Sequence, residues 1–224
     1  MNSPAPIVID AVVADAERPA VIAACEQLHE CLRAAAGRSW PIELRFRPAP
    51  AAIAGPSLPT LAILSLLPEL ARGDEPEAER AARWRAALAP LVDVVPAVFV
   101  CTIFRHVAAG GAPDAPTAGV RLVERIRRLN LFAAELSHDT GVGVLDLDRV
   151  LAHIGARELQ SDYRLSGRIA AEVAGHAIVA GMLAVGLDDI VPPDVQERAQ
   201  RFQGNLWGIY AYVSRRLRQP APGA

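Results

Sequence analysis

Runs of β-branched and aliphatic residues alternate along this chain with longer segments of helical periodicity, and that order leaves few folds open: a parallel sheet with helices covering both faces. The candidate strands are Ile7–Val13, Ile42–Arg47, Leu61–Leu67, Ala97–Phe104 and Gly143–Leu147. The third to fifth are nearly continuous apolar runs, as expected of strands buried on both sides. In the second, Ile42, Leu44 and Phe46 alternate with Glu43, Arg45 and Arg47, the period of a strand with one wet face and hence an edge. Between the strands, Pro19–Ala36 carries Val21, Ile22, Cys25, Leu28 and Leu32 on one stripe, with Gly37 as its stop. Pro76–Ala89 and Val120–Ser137 have the same amphipathic character, Gly167–Val185 is apolar almost all round, and Pro193–Arg218 reads as a long terminal helix. These elements predict a five-stranded parallel sheet in the order 2-1-3-4-5 within one domain over residues 1–190, followed by a C-terminal helix and a short disordered tail over 191–224.

With 224 residues, 52% of them hydrophobic, the chain has ample material for a core. A formal net charge of −2 supplies no general attraction to phosphate backbones, so nucleic acid is not an expected partner. Three cysteines, Cys25, Cys31 and Cys101, fit neither a disulfide framework nor a metal-ligand spacing and point to a reducing compartment. The five histidines, His29, His106, His138, His153 and His176, are scattered, with no pair on one helical turn, so neither a metal nor a cofactor is expected. The start lacks a basic and then apolar leader, and no run approaches the ~20 apolar residues of a membrane span. The expectation is a soluble cytoplasmic protein.

Dinucleotide, phosphate-loop, nucleophile-elbow and zinc-protease motifs are all absent. What remains is a row of polar residues at the carboxyl ends of apolar strands, where parallel sheets present their chemistry: Asp15, Ser65, Glu69, Arg105, His106, Asp146 and Asp148. Each is either a hydrogen-bonded cap or a site residue, and capping is the expectation for Asp146 and Asp148. The segment Ala108–Ala118 reads either as a mobile ligand-binding loop or as a solvated connector.

The succession ILSLLPEL, VFVCTIFRH, RRLNLFAAELSHDTGVGVLDLDRVL, LQSDYRLSG and AAEVAGHAIVAGML resembles the SGNH/GDSL hydrolases over roughly residues 7 to 186. That resemblance implies a flavodoxin-like three-layer α/β/α fold, with a nucleophilic Ser in a GDS after the first strand. It also implies oxyanion donors from a Gly and an Asn, and an Asp and His in a DxxH before the last helix. The catalytic letters depart from the pattern. Asp15 matches the Asp of the first block but Ala16 replaces its Ser, Leu67 and Glu69 stand for the Gly and Asn of the third, and Asp162 matches the terminal Asp while Leu165 falls where the His belongs. An alanine cannot attack an acyl carbon, and a leucine cannot carry a proton.

Two functions follow. One is a divergent esterase, thioesterase or acyltransferase acting on a small or carrier-bound acyl ester, with a rebuilt site in which Asp162, His106 and Glu69 are the candidate catalytic groups and Arg105, Arg164, Asp15 and Ser65 the substrate-binding ones. The other is a pseudoenzyme that binds a ligand or protein. His176 on the apolar helix could face a pocket or be a hydrogen-bonded core histidine. On Pro193–Arg218, the stripe Val195, Ala199, Phe202, Leu206, Ile209, Val213 and Leu217 suits packing on the body. Beside it, Trp207, Tyr210, Gly204 and Gly208 suit a second copy of the chain.

Overall fold

The computed structural model describes residues 4–53, 57–72, 75–107 and 115–204, and the single positions 208, 210, 211 and 215. β1 (Ile7–Val12) is the first strand along the chain and lies inside the sheet, with β2 (Ile42–Phe46) on one side and β3 (Leu61–Ser65) on the other; β4 (Ala97–Cys101) and β5 (Gly143–Leu145) follow β3. All pairings are parallel and the order is 2-1-3-4-5, as the sequence predicts. Every residue of β3 and β4 is buried, whereas β2 at the edge is only half-buried. The strands stop short of their apolar runs. Leu67 opens a 3-10 turn over Leu67–Ala71, and Ile103 and Phe104 stay buried after the chain has left the sheet, so apolar continuity records burial rather than strand length.

The helices are α1 (Arg18–Ala36), α2 (Glu77–Val92), α3 (Ala115–Thr140), α4 (Leu147–Ile154), α5 (Ala156–Leu159), α6 (Arg168–Val185) and α7 (Pro193–Gln203). Pro19 sits in the first turn of α1, and Gly37, at φ 66°, takes the left-handed conformation that ends it while its N–H donates to the Arg33 carbonyl. Three expectations need correction. Ala115–Ala118, read as loop, is the first turn of α3, and the rest of that segment, 108–114, lies outside the described residues. Leu147, read as the end of the fifth strand, opens α4, and the run from Asp148 to Leu159, left without an element, completes α4 and forms α5. The terminal helix is not continuous: α7 ends at Gln203, because Gly204 adopts φ 73° and ψ −168°, outside the helical region. Val195 and Ala199 are buried as expected, but Phe202 is 56% exposed, and Leu206, Trp207, Ile209, Val213 and Leu217 lie outside the described residues.

Two cores form, one on each face of the sheet. Ile7, Ile9 and Ala11 meet Leu28 and Leu32 of α1 and Val173 and Ala174 of α6, with α7 behind them. On the opposite face, Ala62, Leu64, Val98 and Val100 meet Trp84 and Leu88 of α2 and Ile126, Leu129 and Phe132 of α3, where Trp84 and Phe132 pack edge to face at 6.5 Å. The result is the expected three-layer α/β/α, flavodoxin-like domain. α6, with a mean hydropathy of 1.5, is apolar and long enough to cross a membrane by composition alone, and here it packs as a core helix against α1.

Small residues set two close contacts. At Gly175 in α6, an added Cβ would lie 2.8 Å from the Ala20 carbonyl oxygen, the Ala23 Cβ and the Ala24 nitrogen, so α1 and α6 touch backbone to backbone there. Phe99 of β4 fills the space above both Gly143 and Gly186, where added Cβ atoms would fall 2.7 and 2.4 Å from its ring. On β1, Asp10 is fully buried between Arg45 at 2.5 Å and Arg47 at 2.9 Å, a charge cluster that ties the edge strand to the sheet.

Gly175→Val is expected to lower unfolding free energy by about 1–3 kcal/mol, since backbone atoms of α1 cannot yield to a new side chain. Urea denaturation of the variant beside Gly119→Val, at a helical glycine of α3 with open space around it and no positive φ, separates this contact from a general glycine effect.

Candidate active site at the carboxyl edge of the sheet

Where β1 leaves the sheet the chain makes one 3-10 turn, Asp15–Glu17, before α1 begins. This turn folds the Glu17 side chain inward. Its Oε2 accepts the Ala14 N–H at 2.9 Å, and its Oε1 accepts the Ser65 hydroxyl at 2.7 Å. Ser65, the last residue of β3, accepts in turn the Leu67 N–H at 3.0 Å. Glu17 and Ser65 are 7% and 3% exposed. Removal from water raises the Glu17 carboxyl from its ordinary range to about 7, against the lowering effect of its bonds from Ser65 and Ala14. Cys101 pairs with Ser65 in the sheet, and burial first, then the Glu17 charge, push its thiol pKa upward, so it is no thiolate nucleophile.

A second polar group gathers where β4 and β5 end. Thr102 Oγ1 donates to Asp146 Oδ1 at 3.1 Å and accepts the Asp148 N–H at 3.0 Å. Asp146 caps α4 as expected, accepting the Arg149 N–H. Asp148 does something else: it is 7% exposed, accepts the Arg105 N–H at 2.9 Å and faces the Arg105 Nε at 3.2 Å. From α3, the Asn130 amide grips the Ile103 backbone at both ends, each bond 2.8 Å. The segment after β4 is therefore held from two sides, and it presents His106 outward.

The remaining sequence candidates divide. Arg105, His106, Asp162 and Arg164 come to one corner, joined by the Tyr163 N–H, which donates to the His106 carbonyl at 2.8 Å. There the His106 ring is exposed and stacks on Phe104, with centroids 5.9 Å apart. Asp162 is engaged by its own turn, accepting the Arg164 N–H at 3.0 Å, while the Arg164 guanidinium lies over the Tyr163 ring. Leu165, with φ 54°, points into the core and is 4% exposed. Asp15 is 88% exposed in a salt bridge to Arg18, away from Ser65's buried hydroxyl. Glu69 is buried but belongs to a structural ion network, with Arg83 at 2.6 Å and Arg72 at 3.3 Å, and Arg83 also holds Glu75 at 2.7 Å. His176 shares the environment of Gln203 on α7, whose amide nitrogen is 3.3 Å from its Nδ1.

Glu17 was missed. It stands three residues after Ala14, just ahead of an apolar helix face, the place where a glutamate folds back on the preceding turn; that spacing was the available signal. Among the described residues, no group of three His, Cys, Asp or Glu side chains could hold a metal ion. Three clefts lie elsewhere: one of about 1020 Å³ beside α1, α6 and α7, one of about 690 Å³ between α2 and α3, and one of about 230 Å³ under β4 and β5 at their amino ends.

No family model matches the chain, and no curated protein matches it. Among solved structures, it is similar to the N-terminal part of protein BF1531 from Bacteroides fragilis, which contains a phosphatase domain and was crystallised with Mg, at 11% identity and a TM-score of 0.49. That alignment covers 82% of this chain and 52% of the other, so this chain spans about half the length of that neighbour. A protein from Slackia heliotrinireducens proposed as an SGNH hydrolase aligns over 81% of this chain and all of its own length, at 12% identity and a TM-score of 0.45.

Glu17→Gln tests the buried carboxyl. Between pH 4.5 and about 7 the unfolded state releases the Glu17 proton while the native state keeps it, so Glu17 makes stability fall as pH rises through that window and adds no further slope above it. Melting temperatures measured from pH 5 to 8 are expected to show the variant gaining on the wild type as pH rises, by an amount on the order of 3 kcal/mol at most. Parallel curves would show that Glu17 is already ionised in the folded protein.

The order of the strands and the two helix layers give this chain a three-layer α/β/α fold of flavodoxin-like topology.

Proposed function

We propose that this chain is an SGNH-like protein that acts by binding a ligand or a protein partner and does not cleave acyl esters. The observation that carries this reading is Leu165. It fills the place of the terminal histidine, and its side chain is a member of the core between the sheet, α1 and α6. A buried leucine cannot relay a proton, and the Asp162 carboxylate that would orient a histidine is spent on its own turn. At the other end of the same edge, Ala16 is exposed and carries no nucleophile.

One feature favours the second reading, a rebuilt acyl hydrolase or acyltransferase acting on a small or carrier-bound ester. The Ser65 hydroxyl lies 2.7 Å from a carboxyl whose pKa, about 7, suits a general base at neutral pH. Against it stands burial: Ser65 is only 3% exposed, and its oxygen is already engaged by Glu17 and the Leu67 N–H.

Hydrolysis of p-nitrophenyl acetate by the wild type is expected to match that of Ser65→Ala, and a serine-directed fluorophosphonate is expected to leave the protein unlabelled. Labelling at Ser65 that is lost in Ser65→Ala and slowed in Glu17→Gln would replace the binding reading with the enzymatic one.

For the partner, this reading favours a second copy of the chain on the C-terminal face where Phe202 stands exposed. Light scattering at micromolar concentration is expected to report a dimer that Phe202→Asp weakens; a monomeric wild type leaves a different protein as the partner.

A further inference from the structure

On the face of the sheet covered by α2 and α3, a cleft of about 690 Å³ opens between the N-terminal halves of these two helices, large enough for a small organic ligand. Arg121, Arg125 and Arg128 line it from α3, spaced so that they share one side of the helix, and Arg80 lines it from α2. Like charges stacked at this spacing repel one another, so the stripe needs compensation.

The carboxylates at hand supply only part of it. Glu75 is engaged by Arg83, at 2.7 and 3.1 Å, and Glu77 reaches Arg80 only at 3.9 Å, with its own side chain 69% exposed. Glu124 is the remaining acid on the wall, and it is exposed on α3 among the arginines.

Arg80 is the residue that makes this more than a solvated charged face. Its side chain is only 13% exposed, its guanidinium lies 5.4 Å over the Phe132 ring, and its Nε is buried without a hydrogen-bond acceptor among the described residues. A guanidinium so nearly removed from water, with Glu77 at the limit of contact and the nearby Glu75 already gripped by Arg83, is a cation held in place ahead of its anion. Arg125, half-buried, is fixed by donating to the Glu69 carbonyl at 3.1 Å, which anchors the middle of the stripe. Arg121 and Arg128 are exposed at the cleft wall, where their planar forks are free to close on a ligand.

We propose that this cleft binds a small phosphorylated molecule, with Arg121 and Arg128 gripping the phosphate oxygens and Arg80 and Arg125 supplying fixed positive charge behind them. Guanidinium forks match phosphate oxygens two at a time, and a cleft of about 690 Å³ has room for more than a single ion. The site is independent of the Ser65–Glu17 pair and of whether esters are cleaved, because it lies on the other side of the sheet from α1 and α6.

Inorganic pyrophosphate is the probe, titrated into the full chain by calorimetry at low and at physiological ionic strength, with inorganic phosphate for comparison. The expected result is one-to-one binding, tighter for pyrophosphate than for phosphate and weakened by salt. The Arg121→Gln, Arg128→Gln double variant is expected to lose affinity by about tenfold or more. Both positions are exposed, so the fold should survive, which circular dichroism checks. The Arg149→Gln, Arg157→Gln double variant, an equal loss of charge at two exposed positions on α4 and α5, should bind like the wild type. Absence of any heat or melting shift with pyrophosphate would overturn the proposal, and so would equal weakening by the Arg149→Gln, Arg157→Gln variant, which would mark diffuse charge rather than a site. Tighter binding of a short single-stranded DNA with the same dependence on Arg121 and Arg128 would also overturn it, in favour of a nucleic-acid surface.

Discussion

The backbone contact between α1 and α6 at Gly175 governs where everything at one end of the sheet can stand. α1 starts at Arg18, directly after Glu17, and α6 starts at Arg168, shortly after Leu165. Because a Cβ at Gly175 would collide with backbone atoms of α1, the two helices cannot slide or separate without losing the apolar core beneath them. Their fixed register sets where Glu17 and Leu165, each just ahead of one of these helices, can stand. Leu165 is part of the core, and a histidine there would place an imidazole among aliphatic side chains.

Asp10 makes a similar point about polarity in the interior. A carboxylate on a central strand, with no exposure to solvent, is tolerated because two arginines of the neighbouring edge strand and its exit reach it directly. The wet-face alternation of Ile42–Arg47 thus serves two ends. Arg45 and Arg47 keep an edge strand charged, which opposes pairing with other chains, and they neutralise the one buried acid of β1.

Much of this architecture was legible in the residues. Five apolar runs, the alternating pattern at Ile42–Arg47 and the amphipathic stripes gave the strand order and both helix layers, since burial on two faces leaves a continuous apolar signature. What was not legible depended on contacts distant in sequence or on one residue's backbone. Gly204 reads equally as a packing glycine inside a helix or as its terminator, and only its positive φ decides. Glu69 looked like a site residue because it ends an apolar run, yet Arg83, from the following helix, claims it. Glu17 drew no reading from the sequence, because nothing local shows that Ser65, from another strand, closes over it. Arg105, His106, Asp162 and Arg164 lie at one corner of the structure, but their positioning depends on Asp148, which read as a helix cap, and on Tyr163, which carries no distinguishing pattern.

Phe99 has an implication for how such a chain can change over time. Its ring occupies the space that side chains at Gly143 and Gly186 would need, so these three positions form one steric unit drawn from two strands and a helix end. Substitutions among them are not independent: enlarging either glycine is harmful while the phenylalanine remains, and shrinking the phenylalanine first leaves a void that a new methyl group could then fill. Descendants of this sequence can reach an alanine at Gly186 by one order of steps and not by the reverse. The history of mutation at this spot is therefore directional, and related chains should carry either the large ring with two glycines or a smaller residue with a bulkier neighbour, with mixed combinations scarce.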